Sequence, residues 1–350
     1  MEPLVALTRI NRIESMHTGF ICVADSLDKT ILSIGDPNTR LYLRSSGKPF
    51  IAVALVNSGA LEAFHISLPE LAVICSSHAG EDYHLEAIRS ILKKAGIDES
   101  CLDCGATYPT NQNMKDSLIQ KGERPRPIHN CCSGKHAGLL LLCRYYGFPI
   151  ENYQDPEHPL QQLILQIFAE LLACNKSDIA LGIDGCGLPT CHVSIHQAAW
   201  LYSLLAKGFD DSGRYNKCFG LIQKAMRTYP QMLSGYKEFC TDLGIASEGR
   251  IIGKVGSEGL YCLAVPEKKF GVCIKITDGN ERGVYPVVIH LLKKLGALTP
   301  SAAGKLVQWA YPPIQNHRGT VTGYALPVFS TGKTGKTAMI GNILPFNHGS

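Results

Sequence analysis

Two pairs of strand-like segments stand near opposite ends of a 350-residue chain, with helix-like sequence between them. Near the start, Gly19–Ala24 and Thr30–Ile34 flank the turn Asp25–Lys29; near the end, Leu260–Val265 and Phe270–Ile276 flank Pro266–Lys269. Each is a hairpin pattern, an apolar and β-branched run on either side of turn-forming residues. Between them, Leu160–Leu172 sets Leu160, Leu163, Ile164, Ile167 and Leu171 on one stripe of a helix. His196–Ala206, Cys218–Met226 and Val287–Leu295 carry similar periods. This arrangement predicts an α/β fold in which the N- and C-terminal segments, about 1–40 and 250–330, build one sheet around a mostly helical region at about 45–245. The expectation is a single unit over residues 1–350.

Composition narrows the function classes. With 45% hydrophobic and 18% charged residues, the chain has the balance of an ordinary globular protein. The net charge of +4 is spread thinly, and its densest basic spots are the pairs Lys268–Lys269 and Lys293–Lys294. Short pairs of that kind read as a solvated face, so no nucleic-acid partner is expected. No run approaches the length of a membrane span, and the start, with an acid at Glu2, lacks the basic and apolar blocks of a secretory signal. Fourteen cysteines without such a signal point to reduced thiols and a cytoplasmic location. Gly332-Lys333-Thr334-Gly335-Lys336-Thr337 looks like a phosphate loop at a glance, but Ser330 stands where its first glycine belongs. The tail from Ser330, rich in Gly, Lys, Thr and Asn, is expected to be partly mobile.

Five segments carry chemistry. In Leu43-Arg44-Ser45-Ser46-Gly47-Lys48-Pro49, Ser45 and Lys48 lie three apart and share a face at a helix start. A neutral lysine there can take the proton of a serine nucleophile. Pro49 is compatible with this only if Lys48 belongs to a first turn. Leu71–His78 reads as an apolar strand-like run ending in Ser76, Ser77 and His78. Asn130–His136 precedes an apolar run, and a helix opening near Ser133 puts Cys132 and Lys135 on one face. Gly182–Thr190 reads as a tight Gly- and Pro-rich loop that exposes Cys186 beside Asp184. Cys132 and Cys186 together suit a soft metal. Gly253-Lys254-Val255-Gly256 reads as a glycine-rich turn ahead of a strand, a partial match to the Lys-[Thr/Ser]-Gly segment of serine β-lactamases.

Taken in order, Arg44-Ser45-x-x-Lys48-Pro49, Cys75-x-Ser77-His78, Cys132-Ser133-Gly134-Lys135-His136, Asp184-Gly185-Cys186-x-Leu188-Pro189-Thr190, Gly253-Lys254-x-Gly256 and Asp278-Gly279-Asn280 resemble the zinc-containing class of bacterial L-asparaginases. The resemblance runs from about Leu43 to Asn280. It implies a serine β-lactamase/glutaminase-like fold, hydrolysis of L-asparagine to L-aspartate and ammonia, and a homodimer. It further implies two serine–lysine pairs, Ser45 with Lys48 and Ser77 with Lys254, without deciding which serine attacks. Cys132, Lys135 and Cys186 match the family's zinc ligands. Arg44, His136 and Asp184 match residues around the amino-acid substrate. Cys240 falls near a cysteine of that pocket in a poorly matched segment.

Elementary physics makes such a site reasonable. An amide resists water because its leaving group is poor, so an activated nucleophile and an electrophilic clamp are needed. Two ammonium groups and a divalent cation in one pocket penalise one another's charge and lower the lysine pKa values. The rival readings are a glutaminase or β-lactam-directed hydrolase on the same fold, a thiol amidase using Cys132, and a non-catalytic metal-clamped binding protein. Against a β-lactamase, no Ser-Asp-Asn segment is present.

Overall fold

The computed structural model describes residues 1–210 and 213–331, and both the Gly332–Thr337 segment and the rest of the tail lie outside the described residues. Eleven strands are present among them: β1 (Glu2–Arg9), β2 (Arg12–Asp25), β3 (Thr30–Ile34), β4 (Arg40–Tyr42), β5 (Ala180–Ile183), β6 (Pro189–Ser194), β7 (Ile252–Ser257), β8 (Leu260–Val265), β9 (Phe270–Ile276), β10 (Pro313–Gln315) and β11 (Val321–Pro327). The larger sheet has eight strands in the order β10-β11-β1-β2-β9-β8-β7, with β3 on the far half of β2. N- and C-terminal strands therefore interleave in one sheet, and the helices fall mostly between, as the sequence predicts. Both expected hairpins form, β2–β3 and β8–β9. The inserted region also holds a three-stranded sheet, β4-β6-β5, which the sequence reading did not anticipate.

The centre of the large sheet is apolar on both faces. Ile21, Cys22, Val23 and Ala24 are all fully buried although alternate residues point opposite ways, so both faces are covered. The helices Ile195–Lys207 and Val284–Lys294 pack on this sheet. The first approaches the sheet closely at Gly271, where an added Cβ meets the carbonyl oxygen of Ala199 at 2.2 Å. No helix among the described residues is long and apolar enough to cross a membrane.

Two further helices position the chemistry. Leu68–Ile74 is a helix rather than the expected strand, set by a capping box in which the Glu70 carboxylate accepts the Ser67 N–H at 2.6 Å, with Pro69 in the first turn. Ser133–Tyr146 crosses it at glycines one turn apart. A Cβ on Gly134 lies 2.3 Å from the Val73 carbonyl oxygen, and one on Gly138 lies 2.9 Å from Ile74. That close approach brings the start of the second helix to His78, which bonds the Cys131 carbonyl and Ser133 Oγ. Gly134→Ala is expected to destabilise the protein by about 1–3 kcal/mol, because backbone has to move to admit the methyl. Urea unfolding checks this, with Gly304→Ala, where an added Cβ meets nothing within 4 Å, as the control.

Candidate active site

Ser77 follows the helix Leu68–Ile74 and is pinned on both sides. Its N–H donates to the Leu233 carbonyl at 3.0 Å, and the His78 N–H donates to the Cys131 carbonyl at 3.2 Å. The Ser77 hydroxyl oxygen lies 2.8 Å from Lys254 Nζ and 3.1 Å from Lys48 Nζ. Both lysines are completely buried. Lys48 Nζ also donates to the carbonyls of Ser76 at 2.5 Å and Cys131 at 3.4 Å, while Lys254 Nζ reaches the Val255 carbonyl at 2.9 Å. Burial, then the charge of Lys48, pull the Lys254 pKa down to about 8. An amine poised there accepts a hydroxyl proton near neutral pH.

The expected Ser77–Lys254 pair is thus in contact, but Lys48 turns to Ser77 instead of Ser45. Lys48 opens the helix Lys48–Ser58 with Pro49 in its first turn, which satisfies the proline. Its amine is fully buried and needs acceptors; the Ser76 and Cys131 carbonyls provide them and draw it past Ser45. Ser45 lies in the preceding 3₁₀ turn Arg44–Gly47, also buried. Lys254 sits within β7, not in a turn. Gly253 is there because a Cβ would lie 2.0 Å from the Tyr261 hydroxyl.

His78 links this half of the site to the next. Its Nδ1 accepts from the Gly80 N–H at 3.1 Å, which leaves Nε2 to donate to Ser133 Oγ at 2.9 Å, and Ser133 donates to the Ile128 carbonyl at 2.7 Å. Burial, with His84 and Lys48 adding to it, holds this histidine neutral. Ser133 opens the helix that carries Lys135 and His136, as the spacing predicts.

Lys135 Nζ donates to Cys186 Sγ at 3.2 Å, and Cys132 Sγ lies 3.9 Å from Cys131 Sγ. Cys186 is 3% exposed, so the loop between β5 and β6 buries this thiol rather than exposing it, because Lys135 reaches across to it. Hydrogen bonds from Cys131 and Cys186 pull the Cys132 thiol well below its ordinary value, and the bond to Cys132, then burial, push Cys186 up. Burial alone lowers Lys135, but Cys132, Cys186 and Asp184 outweigh it and hold the amine charged. Among the described residues no group of three His, Cys, Asp or Glu side chains is placed to hold a metal. The Cys132–Lys135–Cys186 set differs in having an amine as its third donor. Two buried sulfurs are chemically suited to zinc, and Lys135 would join them as a donor only after giving up its proton to the incoming metal's charge.

Asp184 Oδ1 accepts from Arg44 Nε at 3.1 Å and from the Gly185 N–H at 2.8 Å, and Arg44 also reaches Glu258 at 3.5 Å. Arg44 has φ of 47°, a left-handed conformation held by its N–H donating to Thr190 Oγ1 at 2.8 Å. His136 Nδ1 accepts from the Tyr153 hydroxyl at 2.6 Å, leaving its buried Nε2 without a partner among the described residues. Tyr153 also takes the Asp103 N–H at 3.0 Å; no motif marked this tyrosine in the sequence.

Ser77 opens into a cavity of about 270 Å³ whose walls include Cys131, Cys240, Val255, Glu238, Glu281 and Tyr285. Cys240 is 3% exposed and its sulfur accepts from the Tyr261 hydroxyl at 3.5 Å. Neither Glu238 nor Glu281 belongs to a sequence motif, and only the folded chain brings them beside Ser77.

A model of the family described as L-asparaginase II matches residues 5–327. Among solved structures, Mglu in its native form is similar at a TM-score of 0.46 and 14% identity, over 80% of this chain and 64% of that one. A Bacillus glutaminase in the presence of 4.3 M NaCl is similar at 0.43 and 12%, over 80% of this chain and 91% of that one. A β-lactamase from Mycobacterium bovis is similar at 0.41 and 13%, over 83% of this chain and 95% of that one. This chain spans 64% of the length of Mglu. Among curated proteins none matches it.

Proposed function

The chain belongs to the L-asparaginase II family, matched from residue 5 to residue 327, and on that premise we propose that it hydrolyses L-asparagine to L-aspartate and ammonia. The observation that carries the reading is Ser77 Oγ held between two buried lysine amines, 2.8 Å from Lys254 and 3.1 Å from Lys48, at the wall of a small cavity. In the neutral state Lys254 takes the hydroxyl proton as a serine oxygen bonds to the amide carbon. The attacking oxygen is that of Ser77, or that of Ser45 with Ser77 relaying the proton. The resulting ammonium returns the proton to the departing nitrogen as the C–N bond breaks, which frees ammonia and leaves an acyl-serine. Water, deprotonated by the same amine, then cleaves the ester to aspartate.

The remaining residues orient the substrate. On this reading Arg44, which is paired with Asp184 and Glu258, takes its carboxylate, and His136 offers the buried Nε2. Cys132, Lys135 and Cys186 are the residues that would hold zinc, which supplies positive charge beside the substrate when bound.

Ammonia release from metal-replete protein should be well above background for L-asparagine and lower for L-glutamine. One methylene is worth about 1–3 kcal/mol, or about 10–200-fold in kcat/KM. Hydrolysis of neither amide would remove the assignment; equal or greater glutamine hydrolysis would make the chain a glutaminase.

A further inference from the structure

We infer that Glu238, with Glu281 beside it, is the specificity-determining residue that receives the substrate's α-ammonium group and so restricts the cavity to amides that carry a positive charge. This deepens the asparaginase reading and rests on it.

Charge around the Ser77 cavity is unbalanced. Glu238 and Glu281 line it, and no lysine or arginine does. Among the described residues Glu238 has neither a hydrogen bond nor an ion pair from its carboxylate. It stands at the N-cap of the helix Phe239–Ala246, where a carboxylate ordinarily accepts a helix N–H, yet it makes no capping bond. Neighbouring acids are already committed. Asp242 accepts from Trp309 Nε1 at 2.8 Å, Glu81 accepts from Asn111 Nδ2 at 2.8 Å and the Tyr236 N–H at 3.1 Å, and Glu281 takes the Tyr285 hydroxyl at 3.3 Å. Burial, then repulsion from Glu281, Glu81 and Asp242, raise the Glu238 pKa.

A half-buried carboxylate without a counter-ion is unfavourable unless something cationic completes it. Here it shares a small cavity with the serine that two lysines hold. The cavity wall therefore carries two carboxylates and a serine whose hydroxyl is bonded by two lysine amines. An amino-acid amide aligns in that field with its ammonium at Glu238 and its side-chain amide toward Ser77.

Succinamic acid tests this, since it keeps the amide and one carboxylate of asparagine and lacks the ammonium. The full chain, metal-replete, should favour L-asparagine over succinamate. In Glu238→Gln that preference, taken as the ratio of kcat/KM values, should fall at least about tenfold, with the loss for asparagine mainly in KM. Glu238→Asp, which keeps the charge, should retain most of the preference. A wild type that hydrolyses both compounds equally well overturns the inference without any variant. A ratio unchanged in Glu238→Gln, with both substrates falling together, assigns the residue a merely structural part and also overturns it. Wild-type protein that hydrolyses neither overturns the asparaginase reading itself, and the inference with it.

Discussion

Replacing Lys254 with Met is expected to lower kcat by about 10²–10⁴-fold, the usual contribution of a positioned acid–base group, while the protein stays folded. Methionine fills most of the buried volume and removes the amine, so Ser77 loses the contact at 2.8 Å that prepares its hydroxyl. The wild-type pH profile should carry the same signature. Lys254 titrates at about 8, and only its neutral form accepts a proton. Activity should rise from about pH 7, where about a tenth of the amine is neutral, and level off by about pH 9.

Linkage separates this from unfolding. The folded pKa of Lys254 is below that of the unfolded lysine, so the unfolded chain binds more protons between about pH 8 and about pH 10.4. From this group stability rises with pH across that window and is flat below it. Thermal melts from about pH 6 to pH 7 should show almost no change attributable to Lys254, and the gain up to about pH 8 should stay below about 0.5 kcal/mol, while kcat changes steeply. A rate maximum near pH 5, or a Lys254→Met variant with near-normal turnover, would exclude the lysine as base.

The contacts around Ser77 show which parts of the site local sequence can and cannot reveal. Spacing of three residues correctly put Cys132 and Lys135 at one helix start, because i,i+3 proximity is a property of the helix itself. The same spacing suggested that Lys48 meets Ser45, and failed. Its acceptors come from Ser76, Ser77 and Cys131, far along the chain, and burial decides for the partner set that satisfies the most N–H bonds. Leu71–Ile74 resembled a strand because four apolar residues have no period to read. The Ser67–Glu70 capping box just upstream was the signal that marks it as helical. Gly253 looked like a turn residue, whereas its glycine answers the Tyr261 hydroxyl on the neighbouring strand. The hairpins and the long amphipathic helices were legible throughout, since alternation and helical period survive any tertiary context. Glu238, Cys240 and Tyr153 carry no local pattern, and only the chain's path past Ser77 and His136 brings them into the site.

Purified protein should contain about one zinc per chain, and Cys186→Ala should lose most of it. The donor set comes from two separate segments. Cys132 and Lys135 open the helix Ser133–Tyr146, and Cys186 sits on the loop between β5 and β6, bridged to them by the Lys135–Cys186 contact at 3.2 Å and a hydrogen bond to Cys132. Without Cys186 the metal keeps one sulfur and one amine, too few donors to compete with water or buffer ligands. Cys104 provides the control. It too is a buried thiol in the neighbourhood of Cys132, but it donates to the Pro127 carbonyl at 3.2 Å, and Cys104→Ala should keep its zinc. Metal that binds only the folded state stabilises it by mass action, so a chelator should lower the melting temperature of wild type and Cys104→Ala and leave Cys186→Ala unmoved. Elemental analysis alongside those melts decides between the two thiols. Zinc retained in Cys186→Ala and lost in Cys104→Ala would move the metal to the other side of Cys132, and the contact between Lys135 and Cys186 would then be an ordinary buried hydrogen bond.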